Sequence, residues 1–191
     1  HYDHAMDAAL VAMRTGAVIV GSSSTANIAR GGDVPEERIR IPASGETMTF
    51  GRFKVTLLAS EHIPTGFAQG EIVQPLRPPA PASDYREGGS YAVLVQHGER
   101  SLLINASAGF ARGGFAGRKA DTVLLGVGQL GRQTNAYMKD YWREVITNLG
   151  ATRVIPIHWD NFALPLDLPL HPIPILFHAS AATLCFLATH V

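Results

Sequence analysis

The chain has 191 residues, enough for one domain of good size, with 16 basic and 16 acidic side chains. Because nucleic acids and membrane surfaces are bound through clustered Lys and Arg, this balance argues against both as partners. The single cysteine, Cys185, excludes an internal disulfide and a structural zinc site built from cysteines. The localisation stays open.

The first forty residues have the pattern of an α/β protein. Apolar side chains at helical spacing predict a helix over residues 5–14, which Gly16 ends. A wholly apolar run over residues 17–20 predicts a buried strand. Ser22 and Thr25 then provide N-cap candidates for a short second helix.

The rest of the chain predicts a sheet with one long helix. Two hairpins are followed by two apolar runs that are typical of buried strands. The predicted strands cover residues 47–50, 53–59, 91–95, 101–105, 122–125 and 154–157. Aromatic and apolar side chains recur at three- and four-residue steps between Tyr137 and Leu149, which predicts an amphipathic helix ended by Gly150.

Three stretches lack a regular pattern. Residues 64–90 contain five prolines and four glycines, which indicates a long loop that is either a lid or disordered. Residues 109–117 form a glycine-rich loop, expected to be flexible, without the ending of a phosphate-binding loop. Residues 171–191 are apolar but interrupted by Pro, Ser, Thr and His, so they are a poor transmembrane helix, and an altered reading frame is one explanation.

Polar residues follow several predicted strands at the point where each strand ends. His62, Ser107 and His158 do so, and the group His1-Tyr2-Asp3-His4 comes just before the first helix. Strand ends that converge on one edge of a sheet are where α/β proteins place their chemistry. Imidazole and carboxylate groups suit zinc or a similar ion, so these residues predict a metal site. Because the chain opens inside this cluster, we interpret it as a fragment that lacks its N-terminal part.

His1-x-Asp3-His4 resembles the end of the H-x-H-x-D-H motif of the metallo-β-lactamase superfamily. Ser60-Glu61-His62 resembles the place of the next ligand of that family, and Ile157-His158-Trp159-Asp160 resembles the segment with its last histidine. The resemblance is to the branch with lactonase-like and phosphodiesterase-like members. It implies an α/β (α+β) fold, an αββα sandwich with its first strands missing, as a hydrolase domain over residues 1–170 followed by an atypical tail over residues 171–191.

The resemblance also implies two metal sites in one cleft. One would use His1 and His62 with a histidine that precedes the chain, and the other would use Asp3, His4 and His158. The bridging aspartate of the family falls in a turn where this chain has Ser107. A neutral serine is a poor zinc ligand, so one bridging negative charge is lost. Asp160 is the nearby carboxylate that either compensates or orients the loop.

The implied function is a zinc-dependent hydrolase that holds one or two Zn²⁺ or other divalent ions. Such an ion lowers the pKa of bound water to about 7, and Asp3 would ligate and hydrogen-bond this water as the catalytic carboxylate. The substrate is expected to be a small-molecule ester, lactone or phosphodiester. The alternative is a degenerate, non-catalytic metal-binding member. No nucleic-acid or membrane partner is expected, and the oligomeric state stays open.

Each of these residues also has a purely structural interpretation. Asp3 could cap the first helix, His62 and His158 could be hydrogen-bonded histidines at strand ends, and Ser107 could be an ordinary turn residue. Ser107 is not in a Gly-x-Ser-x-Gly elbow, which argues against a nucleophilic serine. Tyr137 and Tyr141 are expected in the core.

Overall fold

The computed structural model describes residues 2–165, 167–174 and 179–190. The chain divides into two compact units. The first unit consists of His1–Glu46 and Thr65–Ser90, and the second consists of Thr47–Pro64 and Tyr91–Val191.

The first unit contains three helices and two short strands among its described residues. These are α1 (Tyr2–Ala5), α2 (Ala8–Thr15), β1 (Ile19–Val20), α3 (Ser23–Gly31) and β2 (Ile39–Arg40). The two strands are parallel, with Ile19 opposite Ile39, and short 3-10 turns cover Glu36–Arg38 and Ala82–Asp84. The main core of this unit consists of Ala9, Ala12, Ile19, Ala26, Ala29, Val34 and Ile39.

Local sequence signals place the ends of these helices. Gly16 ends α2 in the left-handed region, with φ of 74°, and its N–H donates to the carbonyl of Ala12. The Ser22 hydroxyl caps α3 by accepting a hydrogen bond from the N–H of Thr25 at 3.2 Å. The group that contains Asp3 was expected just before the first helix, whereas Tyr2–Ala5 is itself helical. A carboxylate in the first turn of a helix is favoured by the helix dipole.

Residues 65–90 are irregular, as predicted, but they are packed against α3 within the first unit. The N–H of Ile72 donates to the Ser24 hydroxyl at 2.9 Å, and the side-chain amide of Asn27 donates to the Ile72 carbonyl at 2.7 Å. At Gly31 a Cβ would lie 1.8 Å from the carbonyl oxygen of Leu76. The segment is therefore fixed at several points along α3, and a role as a lid stays a prediction.

The described residues of the second unit form a six-stranded sheet and the helices that cover it. The strands are β3 (Thr47–Phe50), β4 (Phe53–Ser60), β5 (Ser90–His97), β6 (Arg100–Asn105), β7 (Thr122–Gly126) and β8 (Arg153–Ile157), in that order across the sheet. Both predicted hairpins, β3–β4 and β5–β6, are confirmed as antiparallel pairs. The strands β6, β7 and β8 are parallel. The fold is thus mixed α/β.

The long helix predicted before Gly150 is confirmed, with a change of geometry near its end. It runs as α4 (Asn135–Trp142), capped by the Thr134 hydroxyl, and continues as a π-helix over Arg143–Thr147. Its buried side packs on the sheet, and the shared core includes Leu103, Val123, Leu125, Tyr141, Val145 and Leu149. The glycine-rich loop before β7 is packed into the same core by Phe110 and Phe115.

The apolar tail contains a helix that the sequence pattern did not predict, α5 (Ser180–Ala188). Thr183, Phe186 and Leu187 are its buried residues, and the last two belong to the core of the second unit. Residues 175–178 of the tail lie outside the described residues. Within the described part of the chain, each helix is too short or too polar to cross a membrane.

Candidate functional site

Three of the predicted site residues follow strands that end at one side of the six-stranded sheet. Because β6, β7 and β8 are parallel, their carboxyl ends lie together, and we call this end of the sheet the carboxyl edge. Ser107 follows β6 and His158 follows β8. The hydroxyl of Ser60, the last residue of β4, donates a long hydrogen bond of 3.5 Å to Asn105, so His62 leaves the sheet at the same edge.

His62 and Ser107 are held close together by the backbone between them. The N–H of Ile63 donates to the Ser107 hydroxyl oxygen at 2.9 Å. The Nδ1 atom of His62 lies 2.8 Å from the carbonyl oxygen of Ile63, an arrangement that favours a proton on Nδ1 and a lone pair on Nε2. The backbone of Gly109 also packs closely against this segment. A Cβ at Gly109 would lie 2.0 Å from the carbonyl oxygen of Glu61, so only glycine fits there.

His158 occupies a sharp bend directly after β8. Its backbone is in the left-handed region, with φ of 59°, which turns the chain at the end of the strand. Its imidazole lies against Gly128, where a Cβ would come within 2.6 Å of the Nδ1 atom. This Nδ1 atom is buried, and the ring of Phe162 meets the imidazole edge-on at 6.2 Å. The position of this ring therefore depends on the glycine beside it.

A buried pair of polar side chains, Asn105 and Tyr141, fixes the loop that carries Ser107. The side-chain amide of Asn105 donates to the carbonyl oxygens of Ser107 at 2.8 Å and of Gly109 at 3.1 Å. The Tyr141 hydroxyl, fully buried, donates to the Gly126 carbonyl at 2.8 Å. Burial raises the pKa of Tyr141 well above its usual range, so it stays a neutral donor.

A second tyrosine of α4 holds the same loop from a less buried position. The Tyr137 hydroxyl donates to the Ala108 carbonyl at 3.0 Å, and its ring packs 5.2 Å from that of Phe110. Burial, together with the negative charge of Glu61, raises the pKa of Tyr137 to about 12. Sequence reasoning placed both tyrosines in the core but missed their hydroxyl contacts with the loop. The one sequence signal was Asn105, a polar residue that ends an apolar strand.

Of the remaining predicted residues, Asp3 and His4 belong to the first unit and Asp160 belongs to the second. In α1 of the first unit, the Nε2 atom of His4 is 3.5 Å from a carboxylate oxygen of its neighbour Asp3. His1 lies outside the described residues. In the second unit, Asp160 forms an isolated antiparallel β-bridge with Pro172, two residues after His158. This bridge fixes the backbone of Asp160.

The donors described at the carboxyl edge do not by themselves make a complete site for a divalent ion. They are two imidazoles and the Ser107 hydroxyl, which already accepts a hydrogen bond. Zinc in proteins takes three or four ligands, and a neutral serine is a weak one. Among the described residues, His, Cys, Asp and Glu side chains nowhere form a group of three or more that could hold a metal ion.

Of the comparisons with known proteins, the one with solved structures gives matches. The chain matches no family model and no curated protein. Among solved structures, it is similar to the crystal structure of the metallo-beta-lactamase fold protein YhfI from Bacillus subtilis. The match has a TM-score of 0.42 and 14% sequence identity, and it covers 82% of this chain and 70% of that chain. A similarity of this degree does not assign a family, so the proposals below depend on the residues of this chain.

Proposed function

We propose that the chain is a metal-dependent hydrolase with an αββα metallo-β-lactamase-like fold, acting on a small-molecule ester, lactone or phosphodiester. The observation that carries the proposal is that His62 and His158, nearly a hundred positions apart, leave the same carboxyl edge of one sheet. Imidazole nitrogens are common ligands of zinc in proteins.

The environment of His62 supports this role. Metal-binding histidines usually donate their second ring N–H to a carbonyl or carboxylate, which fixes the ring and its tautomer. The contact between Nδ1 of His62 and the Ile63 carbonyl has this form, so Nε2 would be the ligand atom. His1, Asp3 and His4 stay predicted ligands from the sequence motif, and Asp3 stays the predicted catalytic carboxylate.

A second candidate function is metal binding without catalysis. It is favoured by Ser107, which stands where the resemblance implies a bridging aspartate and whose hydroxyl accepts the hydrogen bond from Ile63. A hydroxyl used in this way supplies no negative charge to hold a second ion. On this proposal one ion at most is bound, and no substrate is turned over.

Metal content and turnover, measured on the same protein, separate the two candidates. The protein is loaded with zinc, desalted and assayed for bound zinc by mass spectrometry, then for hydrolysis of a simple ester, a lactone and a phosphodiester. The hydrolase proposal expects bound zinc and a turnover that a chelator abolishes and added zinc restores. Bound zinc without turnover supports the second candidate, and a protein that retains no zinc contradicts both.

A further inference from the structure

A cavity of about 300 Å³ lies beside the carboxyl edge, within the second unit. One side of it is built by residues around the ends of β7 and β8, and the other side is built by α5. We call it the α5 cavity. Its walls include Val127, Pro156, Trp159, Pro172, Leu184 and Leu187.

The walls of the α5 cavity have little capacity to bind polar groups. Among the described residues that line it, none is charged, and the hydroxyl side chains are those of Ser180 and Thr183. The Thr183 hydroxyl already accepts a hydrogen bond from the N–H of Gly131 at 2.9 Å, and the Ser180 hydroxyl donates weakly to the Ile173 carbonyl at 3.5 Å. A charged or amide group inside the cavity would lose its hydrogen bonds to water and gain none from the walls, which costs free energy. A hydrocarbon makes no hydrogen bonds to water, so it does not have this cost.

The α5 cavity is continuous in sequence with the candidate site. Val127 and Trp159 are the chain neighbours of Gly128 and His158, and the His158 imidazole lies against Gly128. The Val127 N–H also donates to the Ile157 carbonyl at 3.0 Å, which holds the two strand ends together. A ligand in the cavity therefore contacts the chain neighbours of Gly128 and His158.

We propose that the α5 cavity binds a single aliphatic chain of medium length. The volume is at the small end of the range of about 300–1,000 Å³ found for ligand pockets, which suits one chain rather than a fused ring system. This inference rests on the proposed function: the aliphatic chain is the hydrocarbon part of an ester or lactone substrate. The cavity would then determine which substrates are preferred.

Binding of uncharged straight-chain alcohols tests the cavity without any hydrolysis. The alcohols from butanol to octanol are titrated into the full chain by calorimetry, and each added methylene should tighten binding about fourfold. Leu184→Trp puts an indole into a wall of the cavity at a half-exposed position and should weaken octanol binding at least tenfold. Leu168→Trp makes the same change at a similarly exposed leucine that does not line the cavity, and it should leave binding unchanged.

The proposal is overturned if affinity does not rise with chain length, if the two tryptophan variants behave alike, or if benzyl alcohol binds more tightly than octanol. Its failure is distinct from a failure of the proposed function. If alcohol binding tightens with alcohol length but no metal-dependent hydrolysis is found, the cavity proposal is supported and the hydrolase proposal is contradicted. Metal-dependent hydrolysis that is indifferent to chain length, without alcohol binding, would do the reverse.

Discussion

The imidazole of His158 lies so close to Gly128 that a Cβ at residue 128 would come within 2.6 Å of Nδ1. Real Cβ atoms do not approach another atom this closely, so any larger residue must displace the ring. Gly128 follows β7 and His158 follows β8, which are neighbouring parallel strands. The contact thus sets the position of one predicted ligand from the adjacent strand end.

Gly128→Ala should therefore lower zinc retention without removing a ligand. We expect the zinc bound at equal free zinc to fall severalfold, because the displaced ring no longer points as it does beside glycine. The measurement is metal content after dialysis against a zinc buffer. Gly114→Ala is the matched control, since its added Cβ meets its nearest neighbours at 3.1 Å, contacts that small shifts can relieve. Equal zinc retention in both variants would contradict the prediction.

His158→Ala should remove most of the bound metal, because the proposal makes its imidazole a ligand. The loss of a protein ligand typically reduces zinc affinity by orders of magnitude. His97→Ala is the control, since His97 ends β5 at the exposed tip of a hairpin and packs against Phe53. Unchanged zinc stoichiometry in His158→Ala would remove this residue from the ligand set.

Ser107→Asp should raise zinc occupancy towards two ions per chain. The carboxylate adds the negative charge that the serine lacks, and it can still accept the hydrogen bond from Ile63. Ser107→Ala, by contrast, leaves the Ile63 N–H without this acceptor and should lower the free energy of unfolding by about 1 kcal/mol. Zinc titration followed by mass spectrometry counts the ions. A Ser107→Asp protein that binds no more zinc than the wild type would show that residue 107 is not at a bridging position.

Tyr141→Phe should destabilise the second unit more than Tyr137→Phe does. The fully buried Tyr141 hydroxyl donates to the Gly126 carbonyl at 2.8 Å and accepts from the Asn105 amide at 3.1 Å, so its loss removes two buried hydrogen bonds. We expect a cost of about 1–3 kcal/mol in urea unfolding, against about 1 kcal/mol for Tyr137, which is partly exposed and makes its contact with Ala108. Equal costs would mean that water replaces the Tyr141 hydroxyl.

Alkaline pH should destabilise the fold through Tyr137. Its pKa is about 12 when folded, against an ordinary value of 10.0, so between these values the unfolded chain has lost a proton that the folded chain keeps. The free energy of unfolding therefore holds below about pH 10 and falls as the pH rises towards 12. Tyr137→Phe should make this fall shallower in urea titrations without abolishing it, because burial also raises the pKa of Tyr141. Tyr91→Phe, which removes a hydroxyl outside this loop contact, should leave the fall unchanged.

Much of the fold follows from local sequence signals. The hairpins and buried strands depend on the alternation of polar and apolar residues and on apolar runs. The helix caps depend on single residues, Gly16 and Ser22. All of these signals are local features of the sequence. The helix α5 was missed because it lacks charged residues and a polar face. Its burial depends on contacts with the distant core, including the pairing of Thr183 with Gly131.

The sequence predicted which residues belong to the candidate site but not the contacts between them. Strand ends identified His62, Ser107 and His158, since parallel strands bring such residues to one edge. The hydrogen bonds of Asn105 and Tyr141 join residues 36 positions apart, and no local pattern encodes them. The same holds for the contact of Gly128 with His158. That the predicted ligands bind one metal ion stays a prediction.

The left-handed backbone of His158 has a consequence for the design of this protein. Side chains with a Cβ adopt this conformation at a cost of roughly 1 kcal/mol or more, which glycine avoids. Glycine at position 158 would therefore be the choice that favours stability alone. His158→Gly should have a higher free energy of unfolding in urea than His158→Ala. A histidine kept at such a position trades conformational stability for the presence of an imidazole.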